Sequence, residues 1–340
     1  MNYYGIIPLH FLTPVHFGDA GEGGGLEDVY TNGKADTLFS ALYIEALQHD
    51  VQKANELYEK TEKGDLLISD LFPWTKIDDE YSFYLPKPNM SVQGVISRQE
   101  KNWEEAKKES SLRKKNKKQL FIRASQLPSY VGSLFQGNTY EFDQITIGEI
   151  FTSAHLNSRT KKPYTVGAYS FSENSGLYMI IAAKEEKDLY QMELLIKLLG
   201  YSGIGGRRSS GLGKFEEADD MLILEGDEIL GKDDISLYRM LSDDTASMQM
   251  SLSCYLPASE EWEDAESGKG IWLKRGGFAY DEENKVVRKV NSVYMMNAGA
   301  CFSKRLNGRI ADVTVEGLAH PVYKYGKGLF VGIEVRKDEI

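Results

Sequence analysis

A chain of 340 residues with 41% hydrophobic side chains and 20 tyrosines has enough apolar material for one large core or two ordinary ones, which excludes global disorder and a fibrous repeat. An excess of 51 Asp and Glu over 40 Lys and Arg, a net charge of −11, excludes a uniformly basic nucleic-acid binder and leaves that task to local basic segments. Cys254 and Cys301, the only cysteines, give neither a disulfide framework nor a CxxC zinc signature, and no apolar run reaches the about 18 residues of a membrane span. With no leader-like N-terminus, the expectation is a cytoplasmic protein with two buried thiols, no metal and no cofactor.

In chain order, Tyr3 to Phe11 is rich in aromatic and β-branched residues and stops at Thr13 and Pro14, which predicts a strand. The glycines and acids between Gly18 and Asp28 predict a loop. After Lys34, Leu38, Phe39, Leu42, Ile44 and Leu47 recur at helical spacing, with Asp36 or Thr37 placed to cap the first amides. Leu66 to Trp74 is a short apolar segment interrupted by Pro73, and Tyr81 to Pro88 reads as an edge strand or extended arm.

Between Ser97 and Lys118 the apolar face disappears. Lys107 to Arg123 carries eight basic residues, among them Lys107, Lys108, Arg113, Lys114 and Lys115, against the single acid Glu109. This predicts an exposed arm or hairpin whose contacts would be with phosphate, because no aromatic platform interrupts it. Arg159, Lys161 and Lys162 form a smaller basic loop. Gly176 to Ala183 predicts a strand and Asp188 to Leu199 a helix, with a further strand from Lys214.

Gly203 to Phe215 reads GIGGRRSSGLGKF. Gly203, Gly205, Gly206, Gly211 and Gly213 permit tight turns and close backbone approach, while Arg207, Arg208, Ser209, Ser210 and Lys214 supply donors for phosphate oxygens. A Walker loop would end in Gly-Lys-Ser/Thr, a dinucleotide fingerprint needs glycine at Arg208, and a nucleophile elbow needs glycine at Arg207 or Arg208. None is met. A tight turn with solvated arginines is the bland alternative to a phosphate-binding loop.

From Met248, strand-like segments recur at Gln249 to Leu256, Gly270 to Tyr280, Ser292 to Phe302, Ile310 to Val315 and Gly328 to Val335. The acidic, turn-rich stretch from Glu225 to Ser247 predicts a boundary, giving domains over residues 1–225 and 226–340. GKDD at Gly231 to Asp234 predicts a surface loop.

The glycine run resembles the loop that marks RAMP proteins of CRISPR systems. VHFGD at Val15, ADTLFSAL at Ala35, LLISDLFPW at Leu66, YLPKP at Tyr84, YTVGAYSF at Tyr164, LKRGGF at Leu273 and HPVYKYGKGLFVG at His320 together resemble the fourth subunit of the type III-A Csm complex over nearly the whole chain. That resemblance implies an α+β fold of two ferredoxin-like (RRM-like) domains with antiparallel sheets, and a basic insertion at about 90–125 serving as a thumb hairpin. It also implies a non-catalytic subunit of antiviral defence that holds the repeat-derived 5′ tag of the CRISPR RNA (crRNA) close to target RNA. Its partners would be the large polymerase/cyclase-like subunit and an adjacent RAMP backbone subunit. The loop from Gly203 to Gly213 would contact the tag.

His16, just after the first strand, lies near where some RAMP endonucleases place a general base. Metal-independent RNA cleavage also needs a group to stabilise the phosphorane and usually an acid, and no further pattern supplies them. His16 is therefore grouped with the RNA-binding residues, and precursor-crRNA cleavage is kept as the alternative.

Overall fold

The computed structural model describes residues 1–18, 25–90, 102–143, 145–157, 160–224, 231–281 and 285–334. Its N-terminal half is built on one antiparallel sheet. The chain runs through β1 (Tyr3–Phe11), α1 (Ala35–His49), α2 (Val51–Lys63), β2 (Leu66–Ile68), β3 (Phe72–Ile77) and β4 (Glu80–Pro86). It continues through α3 (Trp103–Lys118), β5 (Phe121–Arg123), α4 (Leu127–Phe135), β6 (Gly148–Leu156) and β7 (Pro163–Phe171). The half closes with β8 (Ser175–Ala183), α5 (Glu186–Ser202), β9 (Phe215–Glu217) and β10 (Leu222–Ile223).

The strands lie in the order β10-β1-β8-β3-β4-β5, with β9 on β1 and β2 on β8. β1 and β8 form the centre, in register from Tyr3 opposite Ala183 to Leu9 opposite Leu177. Every residue of β8 is buried, because both faces of the sheet are covered. The strand period of two divides the side chains. Ile7, Leu9, Leu177, Met179 and Ile181 enter one core with Leu38 and Leu42 of α1 and Leu189, Met192 and Ile196 of α5. Tyr4, Ile6, Tyr178 and Ile180 enter the other.

The second core spans both halves of the chain, adding Leu237, Met240 and Leu241 of α6 (Lys232–Ser242), Met250 of β11 (Met248–Ser251) and Val331. The remaining elements are α7 (Trp262–Ser267), β12 (Trp272–Arg275), β13 (Phe278–Asp281), β14 (Val286–Lys289), β15 (Val293–Met296), β16 (Cys301–Phe302), β17 (Ala311–Asp312), β18 (Tyr323–Lys324) and β19 (Phe330–Ile333). They pair antiparallel in one three-stranded sheet, β16-β11-β19, and in two-stranded ladders. Among the described residues this half thus holds no sheet of more than three strands. Turns break the predicted strands: Gly276 and Gly277, the latter at φ +124°, split Gly270–Tyr280 into β12 and β13.

Four local expectations are corrected. The basic segment is a helix, not a hairpin. Asn102 and Glu105 form a capping box, acids occupy the first turn of α3 and lysines its last, and no residue of it is buried, which is why it shows no apolar stripe. The extended hairpin is instead β6–β7, paired from Gly148 opposite Phe171 to Leu156 opposite Pro163. Tyr81 to Pro88 is no free arm, since β4 lies between β3 and β5 with Phe83 and Leu85 fully buried.

Neither Asp36 nor Thr37 caps α1. Asp70, from the β2–β3 connection, accepts the Ala35 amide (2.8 Å) and the Cys254 amide (3.1 Å). GKDD is not a surface loop either. Asp233 is buried and accepts hydrogen bonds from Phe83 N (3.0 Å), Ser125 N (2.9 Å) and Arg123 Nε (2.8 Å), pinning α6 to the sheet edge. Both cysteines are buried and free, as expected. No helix among the described residues is long and apolar enough to cross a membrane.

Candidate nucleic-acid interface

The glycine run leaves the end of α5 and folds back on the segment after β1. Ile204 N–H donates to Gly213 O (2.9 Å), Gly206 N–H to His16 O (2.8 Å) and Gly213 N–H to Pro14 O (2.8 Å). These bonds need bare backbone. A Cβ on Gly213, at φ +77°, would lie 1.9 Å from Ile204 O, and one on Gly205, at φ +85°, would lie 2.6 Å from His16 O. Two glycines thus let the loop lie flat against its neighbours, while Arg208, Ser209 and Ser210, in a single 3-10 turn, face solvent.

Arg207 is partly buried, its guanidinium 5.3 Å from the centre of the Tyr164 ring on β7, and Tyr164 stacks in turn on His155. The β6–β7 hairpin is held to the same place by His16. Its Nδ1 is 2.8 Å from Gly167 O, and because a carbonyl only accepts, Nδ1 carries the proton and donates. The imidazole is only 6% exposed and lies between Gly18 and Gly206, against which added Cβ atoms would collide.

His16, Gly205 and Gly206 form part of the wall of a cleft of about 1180 Å³. The opposite wall comes from the C-terminal half, Gly268 to Arg275 and Asn297, and one end from Lys87 and from Lys117 and Leu120 near the end of α3. Among the described residues six cations line it, Lys34, Lys87, Lys117, Lys269, Lys274 and Arg275, and no Asp or Glu does. On a chain of net charge −11 this is a local basic wall, in which Lys34 and Arg275 are balanced by buried Asp70 and Asp36. A second cleft of about 1260 Å³, lined by Arg207, Arg208, Ser209, Tyr280, His320 and Lys324 among others, meets the first at Thr37, Gly205 and Gly277.

The carboxylates that fix these walls lie behind them. Asp36, fully buried, accepts from Arg275 Nη2 (2.9 Å) and Nε (3.2 Å) and from Lys324 Nζ (3.0 Å), joining α1 to the C-terminal half. Burial by itself would raise the Asp36 carboxyl, but the Arg275 and Lys324 charges outweigh it and hold it well below the usual carboxylate range. Arg275 also donates to Thr37 Oγ1 (3.1 Å) at the junction of the clefts. Lys34 pairs with buried Asp70 (3.3 Å) and donates to Asn297 Oδ1 (2.6 Å). Lys87 donates to Asn116 O (2.6 Å) at the end of α3, and burial lowers its pKa.

Of the predicted residues, Gly203, Gly205, Gly206, Arg207, Arg208, Ser209, Ser210, Gly211, Gly213 and Lys214 share one loop with His16 beside it. Lys107, Lys108, Arg113, Lys114 and Lys115 line neither cleft. They stand on exposed turns of α3, where Lys107 covers the Trp103 ring and Arg113 pairs with Glu109 (2.8 Å). Arg159 lies outside the described residues. The sequence analysis missed Lys34, Lys87, Lys269, Lys274 and Arg275. The available signal was Lys274-Arg275 directly before Gly276-Gly277, a second pairing of cations with glycines. Among the described residues no group of three or more His, Cys, Asp and Glu could hold a metal ion.

Comparison with known proteins agrees with the quoted segments. A family profile described as the CRISPR Csm4 C-terminal domain matches residues 244–333. The chain is 32% identical over 327 residues to the protein Csm4 of the CRISPR system of Mycobacterium tuberculosis H37Rv, covering 94% of each, and 29% identical over 332 residues to that of Streptococcus thermophilus, covering 96% of this chain and 99% of the relative. In three dimensions it resembles chains in the crystal structures of a Csm3–Csm4 subcomplex of the type III-A interference complex (TM-score 0.59, 15% identity, 98% and 100% covered) and of a Csm1–Csm4 cassette with cA4 (TM-score 0.58, 18% identity, 98% and 99% covered). The chain belongs to the Csm4 family of type III CRISPR Csm complexes.

Proposed function

We propose that the chain is the non-catalytic subunit of a type III-A Csm complex that anchors the 5′ tag of the crRNA and docks the large Csm1-type subunit and a Csm3-type backbone subunit. The observation that carries this reading is the cleft beside the glycine loop, lined among the described residues by six cations and no acid, on an otherwise acidic protein. Exposed arginine and hydroxyl donors at Arg208, Ser209 and Ser210, with loop amides close by, suit phosphate oxygens. The docking partners are those named in the crystal structures of related fold. The N-terminal sheet fits a ferredoxin-like unit: β9/β10, β1, β8 and β3 take the positions of strands four, one, three and two of a βαββαβ chain.

His16 is read as an RNA-wall residue. Its Nδ1 proton is committed to Gly167 O, which leaves Nε2 as an acceptor, and among the described residues lining the cleft no carboxylic acid stands ready to protonate a leaving group. The test incubates the purified chain, alone and with the large subunit, with labelled 5′-tagged crRNA and follows shift and cleavage together. Shift without cleavage, lost in an Arg207→Ala/Arg208→Ala variant, is the expected result. Metal-independent cleavage abolished by His16→Ala would replace the scaffold with a precursor-processing enzyme.

A further inference from the structure

Two tryptophans stand at the C-terminal wall of the cleft with no core to fill. Trp262 and Trp272 are 51% and 41% exposed and belong to none of the buried clusters, yet their rings lie stacked, centroids 6.1 Å apart and planes within 16°. Large exposed aromatic surface is costly unless something covers it.

The backbone that carries the pair is tied to its neighbours. Trp272 sits in the β12–β15 ladder opposite Met296. Trp262 opens α7, and the preceding Glu261 carboxylate is buried and accepts from Tyr255 Oη (2.8 Å), Ala258 N (3.1 Å), Asn307 N (2.6 Å) and Gly308 N (2.9 Å). Trp272 lines the cleft and Trp262 does not, so Trp262 backs a ring that fronts the cavity. Lys269 and Lys274 flank Trp272 on the same wall, whereas Glu263, Asp264 and Glu266 of α7 do not line the cleft.

We propose that Trp272, backed by Trp262, is a stacking platform for one unpaired nucleobase of the RNA strand, with Lys269 and Lys274 meeting the adjoining phosphates. The proposal rests on the reading that the cleft takes single-stranded RNA. A flat aromatic face beside two lysines, on a wall whose described residues include no acid, matches a nucleotide, which is π-faced and anionic. The cleft, at about 1180 Å³, also exceeds the roughly 300–1,000 Å³ of small-molecule pockets, which favours a stretch of polymer.

The experiment compares the full-length chain with its Trp272→Ala, Trp272→Phe and Arg207→Ala/Arg208→Ala variants, by fluorescence polarisation, on 5′-tagged crRNA carrying one abasic site at successive positions. Trp272→Ala is expected to weaken binding roughly 5- to 100-fold, and Trp272→Phe, which keeps a ring and guards against a folding artefact, to retain most of the affinity. One abasic position should weaken the unmodified protein and cost nothing further in Trp272→Ala. Full affinity in Trp272→Ala alongside loss in the arginine variant would overturn the platform while leaving the cleft reading intact. Undiminished RNA binding with lost association to the large subunit would make the ring a protein contact and also overturn it. Failure of the unmodified chain to bind tagged RNA would overturn both.

Discussion

Replacing Asp36 with Asn removes one negative charge from between two cations that are nearly buried. The Asp36 side chain is 0% exposed, that of Arg275 7% and that of Lys324 10%. An amide oxygen still accepts one hydrogen bond, but two buried positive charges then face each other without a counter-ion. Breaking a buried pair from one side costs about 3–5 kcal/mol, a large share of the roughly 5–15 kcal/mol that stabilises a folded domain. Urea unfolding of the parent chain, Asp36→Asn, Arg275→Met and the double variant would measure it. The two single losses should be strongly non-additive, because Asp36→Asn strands both cations whereas Arg275→Met leaves Asp36 paired with Lys324 and, in the double variant, removes one of the two stranded charges. A loss in Asp36→Asn below about 1 kcal/mol, the size expected of an exposed pair, would refute the buried-triad reasoning. The same triad sets a pH dependence. Because the folded carboxyl lies below its ordinary value of 3.8, its contribution is complete above that value and is lost as pH falls through the lower, folded one. Asp36→Asn should therefore flatten the acid limb of the stability profile.

Arg207→Ala and Arg208→Ala should each flatten the plot of log affinity for tagged crRNA against log salt by about one unit if each contacts a phosphate, and unchanged slopes would remove those contacts. Gly211→Ala and Gly213→Ala separate conformational cost from collision. Both glycines have positive φ, but an added Cβ at Gly211 meets open space and at Gly213 a carbonyl oxygen. Gly211→Ala should cost about 1–2 kcal/mol in thermal or urea stability, and Gly213→Ala clearly more, with loss of RNA binding. Lys117→Ala should weaken crRNA binding more than Lys107→Ala, since only Lys117 lines the cleft, and equal losses would return the whole basic helix to the interface.

The local chemistry of the chain was legible in its sequence where it depends on neighbours along the backbone. Tyr3–Phe11, the stripe from Leu38 to Leu47, the β8 strand and the glycine run all follow from periodicity or from residue types that admit few conformations, and they fall close to where the structure has them. The basic segment was misjudged for a physical reason: a helix that buries nothing has no apolar period, and its evidence is confined to the Asn102/Glu105 cap. Asp36, Asp70 and Asp233 were unreadable in a different sense. Each carboxylate finds its partners tens to hundreds of residues away, Arg275 and Lys324 for Asp36, Cys254 for Asp70, Phe83 and Arg123 for Asp233, so only folding could distinguish a buried tie from a cap or a solvated loop. The cleft belongs to the same class. The six cations that line it among the described residues come from both halves of the chain, and a sum of charges along the sequence holds no record of which side of a surface each charge will occupy.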